Sequence, residues 1–485
     1  MPLSPAFLAE LQRIVGAGGL VQSVEGRLVY ECDMHTFYKG APDAVALPRR
    51  AEDVVQIVKL CVREKVAIIP RGSGTGLIGG AMAPLGGVMV GTNRMDRILA
   101  IDLPNRCATV EPGLINLFLT REVASQGYFF APDPSSQMVS SLGGNVATNA
   151  GGPHCLKYGI TTNHVLGLEL VTGAGELVRL GGSAIERPGY DLVGAAVGSE
   201  GTFGIVTAIT VRLLHAAEAV KTILASFTTI EDASEAVSAI IAAGIVPAAL
   251  EMLDELMIRA INEGTSAGYP KDAAAVLLIE LDGPTAEVEA QGERAARICW
   301  ERGALEVRVA ADDAERALLW KGRKEAAGAV GRLAPTYLLQ DAVVPRSKLP
   351  EIMRELLAIG ARHRVQIANV FHAGDGNLHP LILYDDRVPD ELERAKAANE
   401  ELLRACIAMG GTVTGEHGVG VEKLNSMCVQ FSAEEREQML QLKAAFDPAG
   451  TLNPGKQIPT LSRCAEYGRM HVKRGVLAFP ELERF

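Results

Sequence analysis

The sequence predicts an α+β protein built from two domains, and three observations lead to this prediction. The chain has 485 residues, which is more than one ordinary domain contains. Before about residue 220, short β-rich runs alternate with glycine clusters, and after it strands alternate with long helices. Hydrophobic residues make up 48% and charged residues 22%, as is typical of globular proteins. We therefore expect an N-terminal helical segment at 1–40, a first domain at 41–217, a second domain at 218–457 and a tail at 458–485.

The elements of the first part follow from local patterns. Ser4 can cap, and Pro5 can open, a helix that ends near Gly16. The run "AEDVVQIVKLCVREK" has helical spacing, and the strand "VAIIP" and a glycine loop follow it. Further strands are predicted in "GVMVG" and "ATVEPG", and a hairpin in "HVLGLELVTGAGELVRL".

The second part alternates strands with helices. The predicted strands are "KTILASF", "AAAVLLIELDG", "LEVRVA", "YLLQDAVVP" and "GTVTGEHG". The predicted helices are "EDASEAVSAIIAAG", "TAEVEAQGERAARICWERG", "DDAERALLWKGRKEAAGAV", "KLPEIMRELLAIGARHR", "DELERAKAANEELLRACIAMG" and "SAEEREQMLQLKAAF". This order predicts an antiparallel sheet beneath helices.

Charge and hydropathy exclude several classes of function. The net charge of −11 argues against a general binder of nucleic acids or anionic membranes. The longest apolar stretch is interrupted by Gly244 and Pro247, so we predict no direct membrane insertion. The N-terminus lacks the basic start of a signal peptide. The eight cysteines form no CxxC motif, which favours a reduced, cytoplasmic protein without an iron–sulfur cluster.

The stretch "VFHAGDGNLHPLI" places two histidines around a turn. Asp375-Gly376 is a strong signal for a two-residue hairpin loop. With that loop, His372 would lie directly opposite His379 on the same face of the hairpin. Two imidazoles at that distance suit a metal ion, but a third ligand must come from elsewhere.

The stretch "GGTVTGEHGVG" offers the third ligand. On a predicted strand end, Glu416 and His417 would point to opposite faces, so that one can bind a metal while the other has a different role. His372, His379 and Glu416 form a plausible site for zinc or manganese with positions left open for a substrate.

The loop "IIPRGSGTGLIGGAM" matches GxGxxG and follows a strand. Further glycines and Pro84 would break a helix after it, so the helix N-terminus of a Rossmann site is missing and we reject that interpretation. The loop instead predicts an anion-binding nest of backbone N–H groups.

Three more small-residue segments follow, namely "APDPSS", "SLGGNVATNAGG" and "GSEGTFGIVT". The four segments, in this order, resemble the FAD-binding domain of the vanillyl-alcohol oxidase and p-cresol methylhydroxylase (PCMH) type. The resemblance implies that 41–217 binds FAD, with the first loop at the pyrophosphate. The implied FAD-binding residues are Arg71, Gly72, Ser73, Gly74, Thr75, Gly76, Pro132, Asp133, Ser136, Gly143, Gly144, Asn145, Thr148, Asn149, Gly152, Glu200, Gly201, Gly204 and Ile205. Some relatives attach FAD through a histidine or cysteine of the first loop, whereas this chain has Leu77, so we expect non-covalent FAD.

Four segments of the second part, "WKGRKEAAGAV", "HAGDGNLHPLILYD", "GEHGVGVEKL" and "FDPAGTLNPGKQIP", resemble the C-terminal domain of FAD-linked 2-hydroxyacid dehydrogenases. The resemblance implies that His372, His379 and Glu416 hold a divalent metal. It further implies that His417 is the catalytic base and that Arg323 pairs with the substrate carboxylate. Relatives that take larger diacids have a lysine on the next strand, and "TYLLQDAVV" has none, which favours a small monoacid such as glycolate.

Within that family, the tail "IPTLSRCAEYGRMHV…FPELERF" resembles that of the flavin subunits of bacterial glycolate oxidases more than those of D-lactate and D-2-hydroxyglutarate dehydrogenases. This implies a second flavin subunit and an iron–sulfur subunit as partners, and membrane association only through them. The tail residues 464–485 mix aromatic and basic side chains of the kinds enriched at interfaces, which favours a partner contact as much as packing on the second domain.

Three alternatives stay open at this point. The chain could be a D-lactate or D-2-hydroxyglutarate dehydrogenase that acts alone. It could be an enzyme without net redox chemistry, like the alkyl-glycerone-phosphate synthases, or a non-catalytic flavin-binding scaffold. A base beside a metal argues against the scaffold, which needs neither.

Overall fold

The computed structural model describes residues 3–184 and 188–460. The helices of the first part are α1 (Pro5–Val15), α2 (Val24–Leu28), α3 (Ala51–Arg63), α4 (Asn116–Ala124), α5 (Leu142–Thr148), α6 (Cys155–Tyr158) and α7 (Leu192–Ala196). Its strands are β1 (Leu20–Val21), β2 (Ala44–Ala46), β3 (Ile68–Arg71), β4 (Val88–Gly91), β5 (Ile98–Asp102), β6 (Cys107–Val110), β7 (Tyr128–Phe129), β8 (Val165–Thr172), β9 (Leu177–Gly181), β10 (Gly204–Arg212) and β11 (Leu214–His215).

The second part continues the numbering. Its strands are β12 (Ala219–Phe227), β13 (Ala249–Asp254), β14 (Ala275–Gly283), β15 (Ala304–Val309), β16 (Thr336–Leu339), β17 (Ala342–Val343), β18 (Gln366–His372), β19 (Asn377–Leu378) and β20 (Pro380–Tyr384). Its helices are α8 (Ile230–Ala242), α9 (Glu255–Gly264), α10 (Thr285–Glu301), α11 (Asp313–Lys324), α12 (Ala326–Ala329), α13 (Leu349–His363), α14 (Glu391–Ala408), α15 (Leu424–Gln430) and α16 (Ala433–Phe446).

Local chemistry accounts for the first helix as the sequence predicts. The Ser4 hydroxyl accepts a hydrogen bond from the Phe7 backbone N–H, Pro5 opens the helix, and Gly16 caps its C-terminus. The helix buries Leu11 and Val15 against α3, which begins and ends within two residues of its predicted bounds.

The first domain contains two main sheets. One has the order β1-β2-β4-β3, with β2, β3 and β4 parallel. The other is antiparallel, with the order β5-β6-β10-β8-β9, and β8 and β9 form the predicted hairpin. The loops that connect these strands contain the glycine clusters.

The C-terminal stretch 447–457 returns to this first domain, although the sequence places it with the second. Leu452 is fully buried and forms a parallel bridge with Ile68 of β3. The buried ammonium of Lys456 donates to the carbonyl oxygens of Gly80 and Met82, at 2.7 and 2.5 Å. The stretch thus extends the β1-β2-β4-β3 sheet beyond β3 and holds the loop that follows it.

The second domain is the predicted antiparallel sheet, with helices on both faces. Its strand order is β15-β12-β14-β13-β18-β19-β17, and β20 joins β18 to β16. Along β14, Leu277 and Ile279 pack toward α8, α10, α13 and α14, whereas Val276 and Leu278 pack toward α9 and α11. Burial on both faces explains why this strand is a continuous apolar run.

Two strand predictions in this domain are wrong. "YLLQDAVVP" is divided into β16 and β17 by Gln340 and Asp341, and 411–418 is a loop with one bridge, between Thr412 and Val343, rather than a strand. β13 and α9 were not predicted. The predicted tail contact at 464–485 lies outside the described residues. Within the described ranges, no helix is both long and apolar enough to cross a membrane.

Candidate active site

A cleft of about 510 Å³ lies between the two domains. The glycine loops form one wall, and the sheet of the second domain and the loop around Glu416 form the other. The sequence-predicted residues that line it are Arg71, Gly72, Ser73, Gly74, Thr75, Gly76, Ser136, Gly143, Gly144, Asn145, Thr148, Glu200, Gly201, Gly204, Ile205, Arg323, His379, Glu416 and His417. The fold therefore brings the two predicted sets of residues to one cavity.

Five predicted residues lie behind this lining: Pro132, Asp133, Asn149, Gly152 and His372. The Pro132 carbonyl oxygen accepts from the Asn116 amide, and the Asn149 side chain accepts from the Thr162 backbone N–H. A Cβ atom on Gly152 would lie 2.4 Å from the Asp133 carbonyl oxygen. The polar groups of these first-domain residues thus hold the glycine segments in place.

The loop after β3 is open, as predicted, and no helix follows it. Arg71, however, does not extend freely toward a ligand: its Nη1 donates to the carbonyl oxygens of Cys32 and Ala81, each at 2.9 Å. Gly74 has a φ of +74°, and a Cβ there would lie 2.1 Å from the Arg71 guanidinium. The Arg71 side chain therefore fixes the loop, and its expected contact with the pyrophosphate stays a prediction.

The segment 141–148 forms helix α5, which the sequence analysis missed because Gly143 and Gly144 disfavour a helix. Ser141 caps it, and the Ser141 hydroxyl also accepts from the Ser73 backbone N–H at 3.2 Å. The small residues allow this close contact between the two flavin-type segments. The N-cap serine was the signal available in the sequence.

Glu200, which is expected on the adenine side of FAD, also contacts the loop that contains Glu416. It accepts hydrogen bonds from the backbone N–H groups of Val419 and Gly420, at 2.7 and 2.8 Å. Burial raises the pKa of Glu200 to about 7. The residue ties the first domain to the loop that contains Glu416.

His372, His379 and Glu416 meet as the sequence predicts. The Oε1 atom of Glu416 lies 3.4 Å from Nε2 of His372 and 3.0 Å from Nε2 of His379. The two imidazole rings are 5.0 Å apart and perpendicular. These three side chains form a group that could hold a metal ion.

The register by which the two histidines meet differs from the prediction. His372 pairs with Asn377 rather than with His379, because the turn contains four residues, 373–376. The Gly376 backbone N–H donates to the His372 carbonyl oxygen, and the Asp375 carboxylate accepts from the Asn377 backbone N–H. The register is shifted by two residues, and a shift of two keeps every side chain on its face. His372 and His379 are diagonal neighbours on one face, so they still meet.

Asp341 organises the loop that contains Glu416 and His417. Its carboxylate accepts from the backbone N–H groups of Gly415, Glu416 and His417, at 3.0–3.3 Å, and from the Thr414 hydroxyl. Glu416 and His417 both turn into the cleft, which a strand would not have allowed. The sequence analysis missed Asp341, although an acidic residue inside an apolar strand pattern was a signal.

Burial alone would raise the pKa of Asp341, but Lys423 and the neighbouring histidines hold it well below its usual range. The Lys423 ammonium lies 3.3 Å from the Asp341 carboxylate, and both side chains are fully or almost fully buried. Asp341, His379 and His417 form a second group with the spacing of metal ligands. Because both oxygens of Asp341 already accept several N–H groups, we do not assign a metal to it.

Arg323 reaches the cleft, but its guanidinium is partly engaged. Its Nε and Nη2 atoms lie 2.7 and 2.6 Å from Oε2 of Glu251, a residue that the sequence analysis missed. Within residues 3–184 and 188–460, Nη1 has no hydrogen-bond acceptor. Lys324 also lines the cleft and, among the described residues, has no carboxylate partner. The cleft therefore offers positive charge for an anionic ligand.

His417 stacks parallel on His379 at 5.0 Å, and its Nε2 lies 3.7 Å from Oε1 of Glu416. Burial lowers the pKa of His417 to about 4, although Asp341 opposes this shift. The imidazole is therefore neutral near pH 7 and can accept a proton.

His154, on the loop before α6, bridges the domains beside the cleft. Its Nδ1 lies 2.7 Å from the Asp133 carboxylate, and its Nε2 lies 3.2 Å from that of Glu280 on β14. Burial alone would lower the pKa of His154, but these two carboxylates raise it to about 10. His154 is thus a cation between two anions, one from each domain.

The residues of the cleft fit FAD. Within the described ranges, the backbone N–H groups of Gly74, Thr75 and Gly76 have no hydrogen-bond acceptor, so they can meet phosphate oxygens. The volume lies within the range of about 300–1,000 Å³ that is usual for cofactor sites.

The donor set also fits a divalent metal. Two imidazole nitrogens and a carboxylate oxygen suit zinc or manganese. Around a tetrahedral ion with bonds of about 2.1 Å, ligand atoms are about 3.4 Å apart. The distances of 3.0 and 3.4 Å from Glu416 to the two histidines are close to this spacing.

Comparisons with known proteins identify a family for each of the two parts of the chain. Residues 42–181 match the family model described as FAD binding domain, and residues 216–457 match FAD linked oxidases, C-terminal domain. Glycolate oxidase subunit GlcD of Escherichia coli (strain K12) is 47% identical over 480 residues, which cover 99% of this chain and 96% of that protein. A probable mitochondrial D-lactate dehydrogenase of Danio rerio is 34% identical, with 91% and 88% of the two chains covered.

Among solved structures, p-cresol methylhydroxylase with substrate bound has a TM-score of 0.80 at 18% identity, with 94% of this chain and 97% of that chain covered. Alkyldihydroxyacetonephosphate synthase has a TM-score of 0.74, also at 18% identity, with coverage of 93% and 86%. These likenesses establish the fold, and the predicted two-domain PCMH-type architecture is confirmed. With both family models matched in order and close relatives aligned along nearly its whole length, the chain belongs to the FAD-linked oxidase family and is an FAD-dependent oxidoreductase.

Proposed function

We propose that this chain oxidises a small 2-hydroxy acid, glycolate to glyoxylate and also D-lactate, with FAD as hydride acceptor. One observation carries the proposal. Two members of the His-His-Glu group, His379 and Glu416, line one cleft together with a neutral histidine, a partly free arginine and the open N–H groups of the flavin-type loop, and His372 contacts Glu416 from behind. Relatives named glycolate oxidase subunit and D-lactate dehydrogenase support this substrate class.

Oxidation of a 2-hydroxy acid removes the hydroxyl proton and a hydride from Cα. When bound, FAD supplies the hydride acceptor at N5. When bound at His372, His379 and Glu416, zinc or manganese supplies a Lewis acid for the substrate oxygens. The protein holds the reactants close together and limits water in the cleft.

The chain's own residues have distinct tasks in this proposal. His417, neutral because it is buried, accepts the hydroxyl proton at Nε2. Arg323 directs its free Nη1 toward the substrate carboxylate. Asp341 keeps Glu416 and His417 pointing into the cleft through the backbone of their loop.

The far wall favours a short substrate. Leu339, Val370 and Leu381 line the cleft on the second-domain side, and an apolar wall suits a hydrogen or methyl substituent better than a second carboxylate. Lys324 also lines the cleft and could meet a second carboxylate, so a D-2-hydroxyglutarate dehydrogenase is the second candidate. Relative rates with glycolate, D-lactate and D-2-hydroxyglutarate decide between the two.

The electrons then leave through other proteins. We include in the proposal a second flavin subunit and an iron–sulfur subunit, and a cytoplasmic location with membrane contact only through these subunits. The name of the bacterial relative, glycolate oxidase subunit GlcD, supports an assembly of several subunits.

Anaerobic mixing of the FAD-loaded protein with each hydroxy acid tests the proposal. Glycolate and D-lactate should bleach the flavin absorbance fastest. His417→Gln should slow bleaching by about 100-fold or more, because a positioned base contributes that much. His215→Gln, at an exposed position outside the cleft lining, is the matched control and should react normally. If no hydroxy acid bleaches the flavin, the chain is a scaffold or an enzyme without net redox chemistry.

A further inference from the structure

Glu251 on β13 joins two groups of the candidate site. Its side chain is fully buried. Oε1 lies 2.8 Å from Nδ1 of His372, and Oε2 accepts from Nε and Nη2 of Arg323 at 2.7 and 2.6 Å. One carboxylate thus touches a proposed metal ligand on β18 and the proposed substrate-binding cation on α11.

The contact with His372 fixes which ring nitrogen is free. A carboxylate that accepts from Arg323 has no proton to donate, so Nδ1 of His372 carries the hydrogen of their bond. Nε2, on the other side of the ring, points toward Oε1 of Glu416. Metal-binding histidines are commonly held in this way by a carboxylate behind the ring.

The contact with Arg323 fixes which edge of the guanidinium is free. Nε and Nη2 form the side edge, and Glu251 occupies it. No acceptor among the described residues occupies the end edge, with Nη1 and the second hydrogen of Nη2. Two parallel N–H groups on this edge match the two oxygens of a carboxylate.

We propose that Glu251 is a positioning residue that prepares both halves of the substrate site: it directs Nε2 of His372 to the metal and the end edge of Arg323 to the substrate carboxylate. This rests on the proposed function. The competing explanation is a buried ion pair that serves only the core. The same strand offers a matched control, since Asp254 is also buried and hydrogen-bonded but contacts Met257 and Asn369 instead.

The test uses full-length, FAD-loaded protein from which metal has been removed with a chelator. Zinc affinity is measured by competition with a chelating dye. Oxalate, a dicarboxylate that cannot be oxidised as a hydroxy acid, is titrated into the zinc-loaded protein and followed through the flavin absorbance.

We expect Glu251→Gln to weaken zinc binding about 10-fold to 100-fold. Oxalate binding should weaken about tenfold, the effect of a disturbed charge-assisted contact of about 1.4 kcal/mol. FAD content should stay unchanged. The Gln amide must place its NH₂ against an N–H donor of one partner, so it cannot serve both. Glu251→Asp keeps the charge and should recover part of both affinities, and it replaces the Gln variant if that variant does not fold. Asp254→Asn should retain both affinities.

Wild-type affinities in both Glu251 variants would overturn the inference and leave the proposed function intact. Equal losses in the Glu251 and Asp254 variants would do the same, because they would reveal a core effect. If the wild-type protein binds neither zinc nor oxalate, the proposed function fails and the inference fails with it.

Discussion

Replacing Asp341 by asparagine should lower the free energy of unfolding of the protein and disturb the loop that contains Glu416 and His417. Asp341 accepts from three successive backbone N–H groups and faces the ammonium of Lys423. Asparagine keeps one acceptor oxygen but turns an NH₂ group toward those donors and leaves Lys423 without its counter-charge. Both groups are excluded from water, with side-chain exposures of 0% and 1%.

The magnitude follows from this burial. Breaking a buried ion pair by removing one partner costs about 3–5 kcal/mol. We therefore expect Asp341→Asn to lower the free energy of unfolding by about that amount. Urea denaturation followed by circular dichroism measures it. Flavin reduction should fall as well, because Glu416 and His417 lose the backbone contacts that direct them into the cleft.

A double-mutant cycle separates the charge pair from the loop contacts. Lys423→Met alone should also destabilise, because it leaves the carboxylate without its cation. The double variant should lose less stability than the sum of the two single losses, by about 0.5–3 kcal/mol. Strict additivity, or a loss below about 1 kcal/mol in Asp341→Asn, would refute the reasoning that this carboxylate organises the loop.

Four further outcomes are expected. Because Leu77 replaces any linking side chain, acid precipitation should release FAD into the supernatant, and colour in the pellet would contradict this. His379→Ala should lose bound metal and hydroxy-acid oxidation but keep FAD, as metal analysis and absorbance can check; unchanged metal content would show that His379 is not a ligand. His154 has a folded pKa of about 10 against about 6.5 when unfolded. The stability that protonated His154 gives to the folded protein is complete below pH 6.5 and is lost as the pH rises toward 10. The urea midpoint of the wild-type protein should therefore fall over this pH range, and the midpoint of His154→Gln should fall less. The isolated chain should reduce artificial dyes with glycolate but support little oxygen consumption by membranes until the partner subunits are added. Deleting residues 464–485 should weaken co-purification with those subunits, while glycolate still reduces the flavin. Full oxygen consumption with the isolated chain alone would refute the partner model.

The sequence could predict features that depend on neighbours along the chain. The capped helix α1, the hairpin of β8 and β9, and the alternation of the second domain all arise from local spacing. His372 and His379 were predicted on the correct face of the hairpin but in the wrong register. The face of a side chain is unchanged by a register shift of an even number of residues, whereas the register itself depends on the length of the turn. The Asx-type contact of Asp375 with Asn377 lengthens that turn.

Features that depend on distant contacts could not be predicted in this way. Glu251 reaches His372 across 121 positions of sequence, and Glu200 reaches Val419 across 219. The Arg71 guanidinium donates to the carbonyl oxygens of Cys32 and Ala81, and no local pattern predicts these two contacts. Glu416 and His417 share a direction because Asp341 bends their loop, which a period-two strand pattern cannot express.

The return of 447–457 to the first domain has a consequence for how the protein is made. Ile68 hydrogen-bonds with Thr451 and Asn453, so the sheet that carries the flavin-type loop gains this neighbour only after the strands and helices of the second domain have been synthesised. Lys456, whose ammonium donates hydrogen bonds to Gly80 and Met82 of that loop, is synthesised later still. A nascent chain that stops before residue 447 leaves the edge of β3 unpaired and open to chaperones and proteases. The first domain is therefore complete only when residues 447–457 have been synthesised and have bound to it.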